Sequence, residues 1–156
     1  MFSKPENLPL AGGLPECIAQ EYVHGAEFTV NIYFDRTGRL LAAVPHERLE
    51  TRAGEVSKGV TRRNEALLRV AGQIAAALPD PRGPLCFQCI LPADGVPRVF
   101  EINARFGGGY PLADRAGARF AQWLLEEAVG LPSSANNDWK DGVTMLRYDS
   151  AVFIND

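Results

Sequence analysis

The sequence predicts an α+β domain, with a mostly antiparallel sheet and two main helices packed on it. Residues 28–34 alternate apolar and polar side chains, which is typical of a half-buried strand. Two turn sequences, DRTG at residues 35–38 and DG at residues 94–95, join strand-like segments and so predict hairpins. Residues 64–78 repeat apolar side chains every three to four positions, which indicates a helix.

The first half of the chain is predicted to hold three strands and a loop. Residues 1–17 contain prolines and glycines without any period, so we expect an irregular lead-in. Residues 18–35 predict two strands divided by Gly25, and residues 40–44 predict the third. The polar residues 46–63 then predict a long loop ahead of the first helix.

The second half is predicted to add a hairpin, a helix and a last strand. The helix over residues 64–78 ends at a proline, and residues 84–103 form the hairpin. Residues 111–129 predict one helix, closed by a glycine and a proline. A polar loop over residues 133–142 leads to a final strand within residues 143–154. The predicted order is βββ–α–ββ–α–β.

Length and charge exclude several classes of protein. The 156 residues suit a single domain, residues 1–156, with a core of its own. The net charge of −3 argues against a nucleic-acid or anionic-membrane partner, and no apolar run approaches the roughly 20 residues of a membrane span. Cys17, Cys86 and Cys89 are an odd set without a recognisable signal peptide, which predicts free thiols and a cytoplasmic protein.

The second predicted hairpin carries polar side chains that suit a metal ion. Glu101, Asn103 and Arg105 alternate along one strand and so share a face, and Gln88 lies on the facing arm. Hard cations such as Mg²⁺ prefer oxygen ligands and are usually held by one or two carboxylates plus substrate phosphates. An arginine beside them can bind a phosphate. The alternative is a solvated strand face, although asparagine is depleted in strands and Gln88 interrupts an apolar run.

Three other motifs do not support a site. Cys86 and Cys89 have CxxC spacing, but on a strand this spacing turns the thiols to opposite faces, which favours two buried core cysteines. Residues 54–59 (GEVSKG) have the outer glycine spacing of a P-loop without the Lys-Ser/Thr pair that should follow. His24 and His46 lie far apart in the chain with no candidate nucleophile beside them, so we expect structural or surface histidines.

The polar stretch 46–63 is locally basic. Its cations either clamp a phosphate group or are solvated surface charge. They are Arg48, Arg52, Lys58, Arg62 and Arg63.

Taken together, several segments resemble the ATP-grasp superfamily in its carbamoyl-phosphate-synthase-like branch. Residues 20–28 (QEYVHGAEF) resemble the nucleotide-binding hinge of that superfamily. The spacing of thirteen residues between Gln88 and Glu101 resembles its metal-binding hairpin. Residues 52–63 and 106–120 resemble further segments of the branch.

The resemblance implies that residues 18–132 are the C-terminal lobe of an ATP-grasp domain, which binds ATP with Mg²⁺ or Mn²⁺. The residues at the adenine would be Glu21, Tyr22 and Val23, with Glu27 at the ribose. The metal ligands would be Gln88, Glu101 and Asn103. The residues at the phosphates would be Arg105 and Lys58 in catalytic roles, helped by Arg48, Arg52 and Arg62. The small carboxylate substrate would lie near Gly108 and Gly109.

In this superfamily a carboxylate and ATP give an acyl phosphate, which an amine or a similar nucleophile then attacks. Complete members carry an N-terminal domain, a lysine and a glycine-rich loop that cover the triphosphate. The hinge begins near Gln20, so we expect a truncated or split enzyme, inactive as an isolated chain, that acts with a separate chain or as a homodimer. Two alternatives stay open: a non-catalytic nucleotide-binding or dimerisation module, and a plain α+β domain whose polar strand face is ordinary surface.

Overall fold

The computed structural model describes residues 20–154, which form an α+β fold of strands and helices as predicted. The strands are β1 (Ala26–Phe34), β2 (Leu40–Arg52), β3 (Glu55–Thr61), β4 (Gly83–Leu91), β5 (Arg98–Asn103) and β6 (Thr144–Leu146). The helices are α1 (Glu65–Ala77), α2 (Tyr110–Arg115) and α3 (Phe120–Ala128). The predicted lead-in over residues 1–17 and the predicted free thiol of Cys17 lie outside the described residues.

The six strands form one antiparallel sheet in the order β5-β4-β1-β2-β3-β6. Strand β1 is central, and its Val30 lies between Pro45 of β2 and Phe87 of β4. The predicted hairpin over residues 84–103 is confirmed, and Gly95 in its turn has a φ of 73°. This topology places residues that are distant in sequence side by side on each face of the sheet.

The first face of the sheet packs against α1. The core here combines alternate apolar residues of β1 and β4 with the apolar stripe of the helix. Its members include Phe28, Val30, Ile32, Phe34, Leu67, Ala71, Leu85 and Phe87. Asn64 caps the helix, because its side-chain oxygen accepts hydrogen bonds from the backbone N–H groups of Ala66 and Leu67 at 3.0 and 3.2 Å.

The second face packs against α2, α3 and the loop that contains Trp139. Tyr33 of β1 is buried there against Phe120 and Trp123, with ring centroids 5.3 Å away in each case. Asn137 fastens the loop, since its Oδ1 accepts hydrogen bonds from the Ala43 backbone and the Trp139 indole at 3.1 and 3.0 Å. Toward the β5 edge the same face is polar, and the candidate site lies in that region.

The loop predicted over residues 46–63 is wrong. Strand β2 continues to Arg52 and returns as β3 through Ala53 and Gly54, whose φ values of 49° and 81° form a tight hairpin turn. The pairing of β3 with β2 and later with β6 gives this polar stretch the hydrogen bonds of a strand. Most of its charged residues are exposed along this hairpin, whereas the Arg48 side chain is buried.

Two more boundaries differ from the predictions. Residues 20–25 have no regular secondary structure, so the strand predicted before Gly25 is wrong over these residues. The single helix predicted over residues 111–129 is two helices, because Gly117 has a φ of 114° that an α-helix does not allow. The final strand within residues 143–154 is confirmed as β6.

Within residues 20–154, none of the helices has the length and apolar character to cross a membrane.

Candidate functional site

The β4–β5 hairpin brings three of the predicted site residues together. Gln88 lies directly opposite Glu101, and Asn103 is two residues further along β5. The Asn103 amide nitrogen donates a hydrogen bond to Glu101 Oε1 at 3.0 Å. Directly opposed residues have Cβ atoms about 4.5–5.5 Å apart, so the oxygen atoms of these side chains can reach one ion. The predicted grouping on one strand face is therefore present.

Gln88 and Asn103 border a small pocket on the second face of the sheet. Its walls are the β4–β5 hairpin, the β2–β3 turn and the glycine loop over residues 107–109. The sequence-predicted residues that line it are Arg48, Gln88, Asn103, Arg105, Gly108 and Gly109. Residues from four separate stretches of the chain thus meet at one place.

Arg48 is the most buried charged group at this pocket, with 6% of its side chain exposed. Its Nη1 donates a hydrogen bond to Gln88 Oε1 at 2.6 Å and lies 3.2 Å from Glu27 Oε1. Its Nη2 donates to the carbonyl oxygen of Gly54 at 2.6 Å. Nε has no hydrogen-bond partner among residues 20–154. Arg48 therefore joins the predicted ribose ligand to a predicted metal ligand.

The glycine loop packs against side chains that leave no room for a Cβ. An atom added at Gly107 would lie 3.0 Å from Cys86 Sγ. An atom added at Gly108 would overlap the Glu55 carboxylate, and one at Gly109 would overlap His46. Glycine is required at 109, where buried His46 and Val56 lie against the backbone, whereas the exposed Glu55 side chain at Gly108 can move aside.

His46 is a buried neutral histidine behind this loop. Burial lowers its pKa to about 4, and the Arg48 guanidinium acts in the same direction. Its Nδ1 lies 3.3 Å from the Asn31 amide nitrogen, which assigns Nδ1 as the acceptor and the ring proton to Nε2. Nε2 has no partner in the described part of the chain. The expectation of a structural histidine is confirmed.

Glu55 lines the pocket and His46 supports the glycine loop from behind, and sequence reasoning missed both positions. The sequence contains a signal for His46, because Ala42, Val44, His46 and Arg48 occupy alternate positions of β2 and so share the second face. The predicted strand ends at residue 44, so the alternation that continues through His46 and Arg48 was not recognised. The position of Glu55 depends on the β2–β3 turn, which the loop prediction did not contain.

The other predicted cations lie in exposed ion pairs instead of lining this pocket. Lys58 Nζ is 2.5 Å from Glu50, and the Lys58 ammonium lowers the pKa of that carboxyl. Arg52 pairs with Asp149 at 2.6 Å, and Arg62 is 3.7 Å from Glu47. Pairs of this kind contribute little to stability, so these side chains are available to move. Arg63 differs, since its guanidinium lies 4.1 Å from the centre of the Trp139 ring and holds the loop there.

The predicted hinge residues lie just ahead of β1. Glu21, Tyr22 and Val23 have no regular secondary structure, and Tyr22 is 60% exposed with its ring edge-on to His24 at 4.7 Å. Glu27 follows on the second face of β1, beside Arg48. An exposed aromatic and apolar segment next to this carboxylate suits a flat ring attached to a sugar.

The donor set fits a magnesium-like cation better than a soft metal. Gln88, Glu101 and Asn103 offer one carboxylate and two amide oxygens, a set with little charge that leaves positions for phosphate oxygens. Residues 20–154 contain no group of three or more His, Cys, Asp or Glu side chains that could hold a metal. A zinc-type centre of thiolates and imidazoles is therefore excluded in this part of the chain.

The sequence profile of one family matches most of the chain. The family is described as ATP-grasp in the biosynthetic pathway with Ter operon, and the match covers residues 13–151. A comparison with curated proteins gives no match.

Solved structures share the fold at low sequence identity. The biotin carboxylase domain of 2-oxoglutarate carboxylase from Hydrogenobacter thermophilus, a dimer in complex with MgADP, ADP and bicarbonate, has a TM-score of 0.63 and 14% identity. The L-amino acid ligase from Bacillus licheniformis has a TM-score of 0.52 and 22% identity. The phosphoribosylaminoimidazole carboxylase ATPase subunit from Aquifex aeolicus has a TM-score of 0.55 and 14% identity.

These alignments cover different shares of the two chains. They include 79%, 72% and 73% of this chain, but only 29%, 32% and 37% of the three solved proteins. The chain therefore spans about a third of their length. The more specific placement in a carbamoyl-phosphate-synthase-like branch stays a prediction. The family match, the shared fold and the grouped hairpin residues agree on one conclusion: the chain belongs to the ATP-grasp superfamily, in the family of the biosynthetic pathway with the Ter operon, and forms one lobe of that fold.

Proposed function

We propose that this chain is the ATP- and Mg²⁺-binding lobe of a ligase that activates a carboxylate as an acyl phosphate for attack by an amine. The observation that supports this most strongly is the juxtaposition of Gln88, Glu101 and Asn103 on one hairpin, with Glu101 accepting from Asn103 at 3.0 Å. Oxygen donors with one carboxylate are suited to a metal that is shared with phosphate groups. Mn²⁺ has the same preference for oxygen ligands and serves as a substitute.

The nucleotide is proposed to lie along the second face, from the hinge to the hairpin. Glu21, Tyr22 and Val23 would contact the adenine through backbone and side-chain atoms. Glu27 would accept hydrogen bonds from the ribose hydroxyl groups. Glu27 and Gln88 both contact the Arg48 guanidinium group. The proposed ribose ligand and one proposed metal ligand are therefore close to each other. This spacing supports a single, continuous nucleotide site.

The reaction is proposed to take place beside Arg105 and the glycine loop. A carboxylate oxygen attacks the γ-phosphorus, the bond from phosphorus to the ADP oxygen breaks, and ADP leaves. The amine nitrogen then forms the new bond to the acyl carbon, releases phosphate and loses a proton. Arg105 would offset the charge on the transferred phosphoryl group. The carboxylate would lie near Gly108 and Gly109 after the exposed Glu55 side chain has moved away from this loop. The metal supplies further charge neutralisation when it is bound.

The complete reaction is assigned to this lobe together with further protein, since the alignments cover only 29–37% of the solved relatives. We propose that the remaining parts come from additional polypeptide, a separate chain or a second copy, in the cytoplasm. Lys58 would leave its exposed pair with Glu50 to approach the phosphates in that assembly.

Calorimetry with MgATP tests the nucleotide half of the proposal. The wild-type chain is expected to bind MgATP, and Glu101→Ala is expected to abolish the heat of binding. Glu65→Ala, at the start of α1, removes the same charge from a surface outside the pocket and is expected to bind as the wild type does. Undiminished binding by Glu101→Ala would contradict the assignment.

A non-catalytic nucleotide-binding module is the second candidate. The observation that favours it is the exposed Lys58–Glu50 pair, which leaves Arg48 and Arg105 as the predicted phosphate cations that line the pocket. Under this candidate the chain binds MgATP but never forms ADP, whatever carboxylates, amines and companion chains are supplied. Release of ADP that depends on Glu101 would exclude it.

A further inference from the structure

Arg48 contacts the same side-chain oxygen atoms of Gln88 and Glu27 that are proposed to bind the metal and the ribose. The amide oxygen Oε1 is the only atom of Gln88 that can bind a metal, because the amide nitrogen is a donor. Arg48 Nη1 donates to this oxygen at 2.6 Å. The same nitrogen lies 3.2 Å from Glu27 Oε1, the proposed ribose ligand. One guanidinium nitrogen therefore engages both ends of the nucleotide site.

A guanidinium and a divalent cation oppose each other at this position. Both are positive, and the Arg48 side chain is almost entirely removed from water, so screening between them is weak. The Gln88 oxygen has two lone pairs, but a metal placed on one of them would lie next to the positive charge that occupies the other. The observed contacts are thus suited to the metal-free form of the pocket.

We infer that Arg48 is a positioning residue that acts as an internal counter-cation: it holds Gln88 and Glu27 before ligands bind and is displaced when the metal and nucleotide bind. This inference rests on the proposed function. It adds that Arg48 competes with the metal and the ribose for Gln88 and Glu27. The free energy of binding therefore includes the cost of moving the buried Arg48 side chain.

The displacement is coupled to the wall of the pocket. Arg48 Nη2 donates to the carbonyl oxygen of Gly54 at 2.6 Å and so ties the β2–β3 turn to the site. Glu55, the next residue, packs over Gly108 of the glycine loop. When Arg48 leaves Gln88 and Glu27, the turn loses this tie, and the side of the pocket that faces the proposed carboxylate is free to change.

Metal titration of two matched variants tests the competition. In Arg48→Met the affinity for Mn²⁺ alone is expected to rise about tenfold. This is the change in affinity that corresponds to the loss of one competing hydrogen bond from a charged group. Arg105→Met removes the same charge from the same pocket but does not touch Gln88, since Arg105 Nη1 donates to the Phe106 carbonyl at 3.0 Å. A smaller gain is expected there. Equal gains in both variants, or no gain in Arg48→Met, would overturn the inference.

A measurement on the wild-type chain does not depend on how the variants fold. The side-chain Nε–H signal of Arg48, identified by its loss in Arg48→Lys, is expected to shift when MgADP is added, together with the amide signals of Gln88 and Glu55. If the Gln88 and Glu101 amide signals shift but the Arg48 signal does not, the proposed displacement of Arg48 is contradicted and the proposed nucleotide site is not. If no signal responds and Mn²⁺ does not bind, the proposed function fails with it.

Discussion

Gln88 and Glu101 face each other across the β4–β5 ladder although they are thirteen positions apart in the chain. A register shift follows immediately after this pair, so that Phe100 is the extra residue of a β-bulge. Bulges re-aim side chains next to functional sites. The bulge lies next to Glu101 and so affects the direction of its side chain. That direction determines whether the oxygen atoms of Gln88, Glu101 and Asn103 point toward one metal position.

The glycine loop should not tolerate alanine at position 109. A Cβ there would overlap His46 and lie 3.0 Å from Val56 Cγ1, so we expect Gly109→Ala to lower the free energy of unfolding by about 1–3 kcal/mol. Gly72→Ala is the matched control, because Gly72 lies in α1 with no atom within 4 Å of an added Cβ, and it should raise stability by about 0.5–1 kcal/mol. Urea unfolding of both variants measures the difference. If Gly109→Ala does not change the free energy of unfolding, the loop does not pack closely against His46 and Val56.

His46 should make the protein sensitive to mild acid. Its pKa falls from 6.5 in the unfolded chain to about 4 in the folded chain, because burial disfavours the imidazolium. The folded state then binds fewer protons, so this contribution is fully present above pH 6.5 and is lost as the pH falls toward 4. The total is about 3 kcal/mol by the usual conversion.

Urea unfolding at several values of pH checks this expectation. The wild type should lose stability between pH 6.5 and 4 relative to His46→Gln, which has no group that titrates at this position. Subtracting the two curves removes the effect of carboxyl groups that titrate in the same range. Parallel curves would mean that His46 is solvated or already charged in the folded protein.

The two described cysteines should be unreactive in the native state. Burial raises the pKa of Cys89 to about 12 and also raises that of Cys86, so neither forms much thiolate at pH 8. In a Cys17→Ser background, a thiol reagent should modify neither residue until the protein is unfolded, when both react. Fast labelling of the native protein would contradict the assignment of Cys86 and Cys89 as buried core thiols.

Local patterns were sufficient for the parts of the fold that local chemistry determines. Apolar alternation predicts β1, the Asp94-Gly95 turn predicts the β4–β5 hairpin, and apolar spacing predicts α1. That hairpin brings Gln88 near Glu101, but their direct pairing also depends on the bulge at Phe100, because the turn-side register of Cys89 with Val99 would place Gln88 opposite Phe100. The hairpin was therefore accessible from the sequence, whereas the exact pairing within it was not.

The rest depends on contacts between distant segments. The β2–β3 hairpin is stabilised by β6, which follows more than eighty residues later, so its polar sequence looks like a loop. Arg48 meets Glu27 and Gln88 through the register of three strands, which no local pattern specifies. Gly117 divides the helix predicted over residues 111–129 with a positive φ that composition does not reveal.

The most direct test of the metal and nucleotide site is the paramagnetic effect of Mn²⁺ with ADP on the NMR spectrum of the labelled chain. Mn²⁺ broadens the signals of nuclei close to it. The account predicts selective broadening of the Gln88, Glu101 and Asn103 signals, with those of Gly72 in α1 unchanged, and loss of the effect in Glu101→Ala. Broadening that spares the β4–β5 hairpin, or that persists in Glu101→Ala, would contradict the central claim.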